Sequence, residues 1–156
     1  LQSVDLRALA DDLRALLQPD LEARQIELEL SCAPAECRVQ ADPELLRQIL
    51  FNLLQNAISF SPQEGEVTVK AVGHRAGTLR IEVADRGSGV DDSHVESLFV
   101  PYFTTRPGGA GLGLAIVRRL VQAHGWTIQY RHREGGGSIF RIEGIRGEAT
   151  VRDIDS

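Results

Sequence analysis

The chain of 156 residues contains no Met and a single Lys, Lys70. A chain without Met does not begin at its own initiator, so it is expected to be a piece of a longer protein. With Lys70 as the only lysine there is no GxxxxGK[ST], which excludes a P-loop nucleotide site. Cysteine is limited to Cys32 and Cys37. Their spacing is not CxxC and no nearby His completes a metal set. They read as small apolar residues of a cytosolic domain rather than as a disulfide. No apolar run approaches the ~18 residues of a membrane span, and no signal peptide is visible. No basic run points to nucleic acid or anionic lipid, and the net charge of −5 is spread in both signs along the chain. Internal repeats are missing, as is any Ser/His/Asp or Cys/His arrangement for nucleophilic catalysis. The motif GAGLG is GxGxG, not GxGxxG, and no strand immediately precedes it, which argues against a dinucleotide fold.

What the chain does have is an ordinary globular composition, 42% hydrophobic and 25% charged, enough for one domain with a core. Leu6, Leu9, Ala10, Leu13, Leu16 and Leu17 recur at helical spacing, with Ser3 or Asp5 as cap and Pro19 as the expected kink or end. Ile26, Leu28 and Leu30 alternate with acids as a half-buried strand, and Cys37 with Val39 suggests a short one. Asp42-Pro43-Glu44 predicts a helix start, and Ser61-Pro62 stops that helix after Phe60. Strands are predicted over Glu66 to Val72 and Thr78 to Ala84, joined by a turn from His74 to Gly77. A helix follows from about Gly111 to His124, ended by Gly125. Trp126, Ile128 and Tyr130 make a strand, and Ser138 to Ile142 make the last one. Without a strict βαβ alternation, the fold class is an α/β two-layer sandwich, a mixed sheet covered on one face by about three helices. Residues 1–143 form the domain, and 144–156 read as a polar tail or linker.

The chemistry gathers around two glycine clusters, DRGSGV and GAGLGLAI, which bracket an irregular segment, LFVPYFTTRPGG. Gly109, Gly111 and Gly113 let the backbone approach a ligand, and a helix start offers N–H groups and a positive dipole end to phosphate. Upstream, the Asp42 to Phe60 helix is apolar nearly all round except for one stripe of Gln48, Asn52, Gln55, Asn56 and Ser59. A solvated face would carry Lys, Glu or Arg. Stacked amides at Asn52 and Asn56 suggest a semi-buried polar site, and a side-chain carbonyl oxygen suits Mg²⁺; the plainer alternative is an amide ladder against a loop. Alternation from Leu79, Ile81 and Val83 puts Asp85 on the buried face, where a purine amino group would satisfy it; the plainer alternative is an Asp that caps a turn. Arg106 could reach a terminal phosphate bidentately, or be a solvated loop residue. Phe99, Tyr102 and Phe103 could anchor a lid over a nucleotide, or cover the core. His124 reads as a cap complementing a helix dipole; His74, His94 and His132 read as turn or loop residues.

In this order the motifs resemble those of the catalytic, ATP-binding domain of bacterial sensor histidine kinases, in the gyrase/histidine-kinase/MutL ATPase superfamily. The resemblance runs from about Val4 to Ile142. LRQILFNLLQNAISFSP resembles the N box, which implies Asn56 at Mg²⁺ and Asn52 beside the phosphates. DRGSGV resembles the first glycine box, which implies Asp85 on the adenine amino group, with Gly87 and Gly89 beside it. LFVPYFTT resembles the F box of a lid, over about 90–109, with Thr104 and Thr105 before a γ-phosphate candidate, Arg106. GAGLGLAIVRRLVQAHG resembles the second glycine box, which implies nucleotide contacts from Gly109, Gly111, Leu112, Gly113 and Leu114. GGGSIFRI implies that Ser138 supports the adenine-binding Asp. Ser59 stands where many relatives have a basic residue, and no phospho-accepting histidine motif is present.

The resemblance therefore implies a Bergerat-type fold and an ATP-dependent histidine kinase with ATP and Mg²⁺ as cofactors, its catalytic candidates being Asn52 and Arg106. The γ-phosphate acceptor would be a histidine on a separate helical-hairpin dimerisation domain, with a response regulator as the indirect partner. The isolated domain is expected to be monomeric and cytoplasmic, its parent membrane-anchored or not, and the lid loose until nucleotide orders it. Two alternatives stay open: a degenerate nucleotide- or partner-binding module, and a serine kinase or ATPase of the same superfamily.

Overall fold

The computed structural model describes residues 1–74, 77–100 and 113–147. A first strand, β1 (Gln2–Asp5), leads directly into α1 (Leu6–Arg24). Asp5 is the cap: its carboxylate accepts from the N–H groups of Arg7 at 2.9 Å and Ala8 at 3.4 Å. Ser3 lies inside β1, a strand too short to stand out in the sequence. Leu6, Leu9, Ala10, Leu13, Leu17 and Leu21 form the buried stripe. Leu16 does not join it and is 53% exposed; it sits next to Leu17, about 100° round the helix, and only one of the two can face the core. The helix also passes through Pro19 instead of ending there. Pro19 is on the exposed side, and buried Leu17 and Leu21 hold the turns on either side of it. The end comes at Gln25, left-handed at φ 55°, with Ile26 N–H donating back to Leu21 O at 2.9 Å.

The second helix begins where the sequence places it. Asp42 accepts from Glu44 N–H (3.0 Å) and Leu45 N–H (3.2 Å), and α2 runs Pro43–Phe60. Leu46, Ile49, Leu53 and Leu54 are essentially shut off from water. The strands are β2 (Glu27–Cys32), β3 (Arg38–Ala41), β4 (Glu66–Gly73), β5 (Thr78–Ala84), β6 (Thr127–His132) and β7 (Ser138–Gly147), with α3 (Gly113–Ala123) before β6. They form one sheet in the order β1-β3-β7-β5-β4-β2, and β6 pairs with the first part of β7. Only β2 and β4 pair in parallel, so the sheet is mixed, as the sequence predicts. Val39, Val67, Val69, Ile81, Val83, Phe140 and Ile142 point from it into one core with the helices. The opposite face is polar: Arg141 Nε donates to Glu82 Oε2 at 2.7 Å, and His74 Nε2 lies 2.8 Å from Glu143 Oε2.

Two expectations need correcting. The last strand does not stop at Ile142 but continues to Gly147, and Ile145, expected in a polar tail, is fully buried opposite Leu79. Ile142 faces Ile81 and Ile145 faces Leu79, so Glu143 and Gly144 oppose Arg80 in a bulge, with Gly144 at φ 97°. The extra residue turns a spacing of two into three and hides the continuation from a period-2 reading. Cys32 and Cys37, read as unpaired apolar residues, form a disulfide. Cys32 ends β2, and the 3₁₀ turn Pro34–Glu36 brings Cys37 back with Cα atoms 5.6 Å apart. That is a bridgeable separation, and local geometry brings it about.

Candidate functional site

Two groups of polar residues meet where α2 ends. Asn52 and Asn56 are half-buried on the polar stripe of α2. The Asn52 amide donates from Nδ2 to Gln48 O at 2.9 Å, which leaves Oδ1 to turn outward. That oxygen lies 3.5 Å from where a Cβ on Gly113 would sit, so it faces the first residue of α3. The helix dipole gives that end of α3 a positive character. Among the described residues no three His, Cys, Asp or Glu side chains cluster. A metal here would therefore need ligand oxygens from elsewhere, the mode Mg²⁺ adopts with phosphates and water.

The second group is built on Asp85, which follows β5. The alternation of Leu79, Ile81 and Val83 does carry it to the core side, and it is 2% exposed. Its Oδ1 accepts from Gly87 N–H at 2.7 Å, so Asp85 caps a turn and is buried as well. Burial pushes its pKa above the ordinary carboxylate value; the Gly87 and Ser138 backbone and the Arg133 charge pull it down by less. A carboxylate accepts at about four lone-pair positions, so capacity remains for a ligand's amino group.

Glycines fit these pieces together. A Cβ on Gly87 would collide with the carbonyl of Phe60, the last residue of α2. Asn56 is one turn earlier, about 6 Å along the axis, so the amide stripe and the Asp85 loop share one end of α2. Gly137 has φ 117°, and a Cβ there would collide with the Asp85 carbonyl oxygen. Asp85 N–H donates to Ser138 O at 3.0 Å, which ties the loop to the start of β7. Ser138 is 5% exposed, and its Oγ lies 3.1 Å from the Tyr130 hydroxyl.

Asn52, Asn56, Asp85, Gly87, Gly89, Gly113, Leu114 and Ser138 thus fall within the described residues. Thr104, Thr105, Arg106, Gly109, Gly111, Leu112 and the aromatics Tyr102 and Phe103 lie outside them. Phe99 packs edge-on to Phe140, with ring centroids 6.2 Å apart. Ser59 donates to Gln55 O at 2.9 Å. His124 caps the end of α3 and also reaches the start of α2. Its Nδ1 lies 2.9 Å from Leu120 O and its Nε2 accepts from Asp42 N–H at 3.2 Å, so the partners place the ring proton on Nδ1. The ring stacks on Trp126 at 4.1 Å and joins α3 to the cap of α2. The sequence reading misses Tyr130, placed there only as a strand residue. The available signal is a tyrosine on the inward-facing alternation with Ile128, because a half-buried phenol requires a partner for its hydroxyl.

The chain is similar in sequence and fold to known proteins. The sensor histidine kinase ZraS of Klebsiella oxytoca is 40% identical over 139 residues, covering 89% of this chain and 30% of that protein. The histidine protein kinase DivJ of Caulobacter vibrioides is 37% identical over 143 residues, covering 88% of this chain and 24% of its own length. The chain therefore spans under a third of the curated relatives it matches. The crystal structure of full-length ShkA in complex with AMPPNP superposes with a TM-score of 0.82 at 34% identity, over 94% of this chain and 31% of that one. The nucleotide-free catalytic domain of histidine kinase ThkA gives 0.81 at 27% identity, over 93% of this chain and 97% of that one. The fold is thus the Bergerat type of histidine-kinase ATPase domains. Residues 41–145, from the strand before α2 through the bulge of β7, match the family model that takes in this whole site, and the chain belongs to the histidine kinase-, DNA gyrase B-, and HSP90-like ATPase family.

Proposed function

We propose that this chain binds Mg-ATP and is the phosphate-donating half of a two-component sensor kinase. The observation that carries the reading is Asp85: a carboxylate 2% exposed, held between a glycine loop and Ser138. In this reading the adenine amino group donates to Asp85. Asn52 and the start of α3 flank the phosphates, and the Asn56 amide oxygen would hold Mg²⁺. Bound there, Mg²⁺ would neutralise phosphate charge, as phosphoryl transfer requires. Arg106, with Thr104 and Thr105, is assigned to the γ-phosphate on the sequence motif alone. The glycines at 109 and 111 and Leu112, with Gly113 and Leu114, complete the proposed phosphate side. The chain's task is then positioning and charge compensation, and the nucleophile comes from elsewhere.

The proposed acceptor is a histidine on a helical-hairpin dimerisation domain of the parent protein, which would pass the phosphate to a response regulator. Relatives named as histidine kinases that are more than three times the matched length support this division. The proposed placement of this domain is cytoplasmic, on the kinship with two-component kinases; among the described residues no helix is long and apolar enough to cross a membrane. Three of the chain's four histidines hold partners of their own, His74 with Glu143, His124 with Asp42 and Leu120, and His132 with Asp92, and none of the four lies in a phospho-accepting motif. Incubation with γ-labelled ATP should therefore leave the isolated chain unlabelled. Adding the parent's hairpin domain should yield an acid-labile, alkali-stable phosphohistidine on that domain. Stoichiometric label on the isolated chain would overturn the division of labour.

A further inference from the structure

The loop after β5 is tied to the same residue of β7 at both ends. At one end Asp85 N–H donates to Ser138 O at 3.0 Å. At the other, Val90 N–H donates to the Tyr130 hydroxyl at 2.8 Å, and that hydroxyl lies 3.1 Å from Ser138 Oγ. Between these anchors the chain reads Arg86-Gly87-Ser88-Gly89, with Gly89 at φ 78°. Two glycines in four residues leave much backbone entropy to be lost when a ligand orders the loop. A loop fixed beforehand at both ends spares most of that loss at binding.

Tyr130 is well placed for this task. Its ring is held edge-on by Phe140 at 5.4 Å, and His132 stands edge-on at 5.3 Å. His132 extends the tie: Nδ1 lies 3.4 Å from the Tyr130 hydroxyl and Nε2 lies 2.7 Å from Asp92 Oδ1, in the segment that follows Val90. The phenol oxygen is thus the point where the loop, β6 and β7 meet. It is 3.4 Å from where a Cβ on Gly89 would stand, so Gly89 passes close against it.

We infer that Tyr130 is a positioning residue for base recognition: its hydroxyl, held against Ser138 Oγ, accepts from Val90 N–H and so keeps the Asp85–Val90 loop in the shape that receives the adenine. The inference rests on the nucleotide reading above and adds to it a residue that need not touch the ligand. Tyr130→Phe deletes one oxygen and keeps the ring contacts. The variant should melt close to the wild type. Exchange of the Val90 amide, read by NMR without nucleotide, should quicken by about tenfold, while the Ile81 and Ile142 amides stay as they were. ATP and ADP should each bind about fivefold more weakly, in the range of one neutral hydrogen bond, because the effect lies at the base and not at the phosphates. Ser138→Ala should weaken binding too, and the double variant by less than the sum of the two losses, because the hydroxyl pair is removed in both single variants. Unchanged Val90 exchange in a folded Tyr130→Phe protein, or additive losses in the double variant, would overturn the inference. A wild-type chain that binds no nucleotide would remove the proposed function instead, and the exchange experiment would still decide whether Tyr130 holds the loop.

Discussion

Asp85→Asn should weaken ATP binding by about ten- to a hundredfold while raising the melting temperature of the empty protein. The first effect is the loss of a charge-assisted hydrogen bond, worth roughly 1.5–3 kcal/mol. The second follows from burial. In the folded chain the Asp85 carboxyl holds its proton above the ordinary value of 3.8. The stability tied to that proton is complete below the unfolded value and is lost as pH rises through the folded one. At neutral pH the wild type carries a buried charge that works against folding, and Asn does not. The gap in melting temperature between variant and wild type should therefore widen as pH climbs from below 3.8 toward neutrality. The base preference should change with it. A carboxylate faces the adenine amino group favourably and the guanine carbonyl unfavourably, whereas an amide can serve either. Paired titrations with ATP and GTP, plus melting curves across pH, test both halves. An ATP preference that survives intact in Asp85→Asn would detach Asp85 from the base.

Asn56→Ala should abolish most of the magnesium dependence of ATP binding. The Asn56 amide lies one helical turn from Asn52 on a stripe that is half-buried, with no acidic cluster among the described residues to replace it. Loss of one oxygen ligand should reduce the Mg²⁺ contribution on the order of tenfold or more. In calorimetry, the wild type should lose affinity when Mg²⁺ is chelated, and the variant should bind alike in both conditions. Asn56 carries a surface amide on one side of α2, so the fold should stand unchanged. A variant that keeps the full wild-type response to Mg²⁺ would show that the metal sits elsewhere.

The parts of this molecule that a sequence makes legible are those governed by local chemistry. Asp42-Pro43-Glu44 announces α2 because a cap, a preset φ and an acid act within three residues. Asp85 is legible because three alternating apolar residues before it fix the face on which it must lie. The glycines at 87 and 137 are legible as turns, but not the atoms that require them, the carbonyls of Phe60 and Asp85. What stays hidden depends on contacts between distant segments. The bulge at Glu143-Gly144 breaks the alternation and makes a buried strand look like a tail. Pro19 reads as a kink or an end because its helix is held from outside, by core contacts at Leu17 and Leu21. The Cys32–Cys37 bridge depends on a 3₁₀ turn that composition does not reveal. Tyr130 and His124 reach partners 40 and 82 residues away, which their local pattern does not name, although the alternation with Ile128 marks Tyr130 as half-buried.

Amide and methyl NMR of the chain titrated with MgATP is the most direct check on where the nucleotide lies. Shifts should concentrate at Asn52, Asn56, Asp85, Gly87, Gly89, Gly113 and Ser138. The polar face of the sheet, at Arg80, Glu82, Arg141 and Glu143, should stay still. Omitting Mg²⁺ should shrink the response at Asn56 while leaving that at Asp85. Shifts that gather on the polar sheet face, or no saturable shifts at all, would contradict an ATP site between α2 and the Asp85 loop.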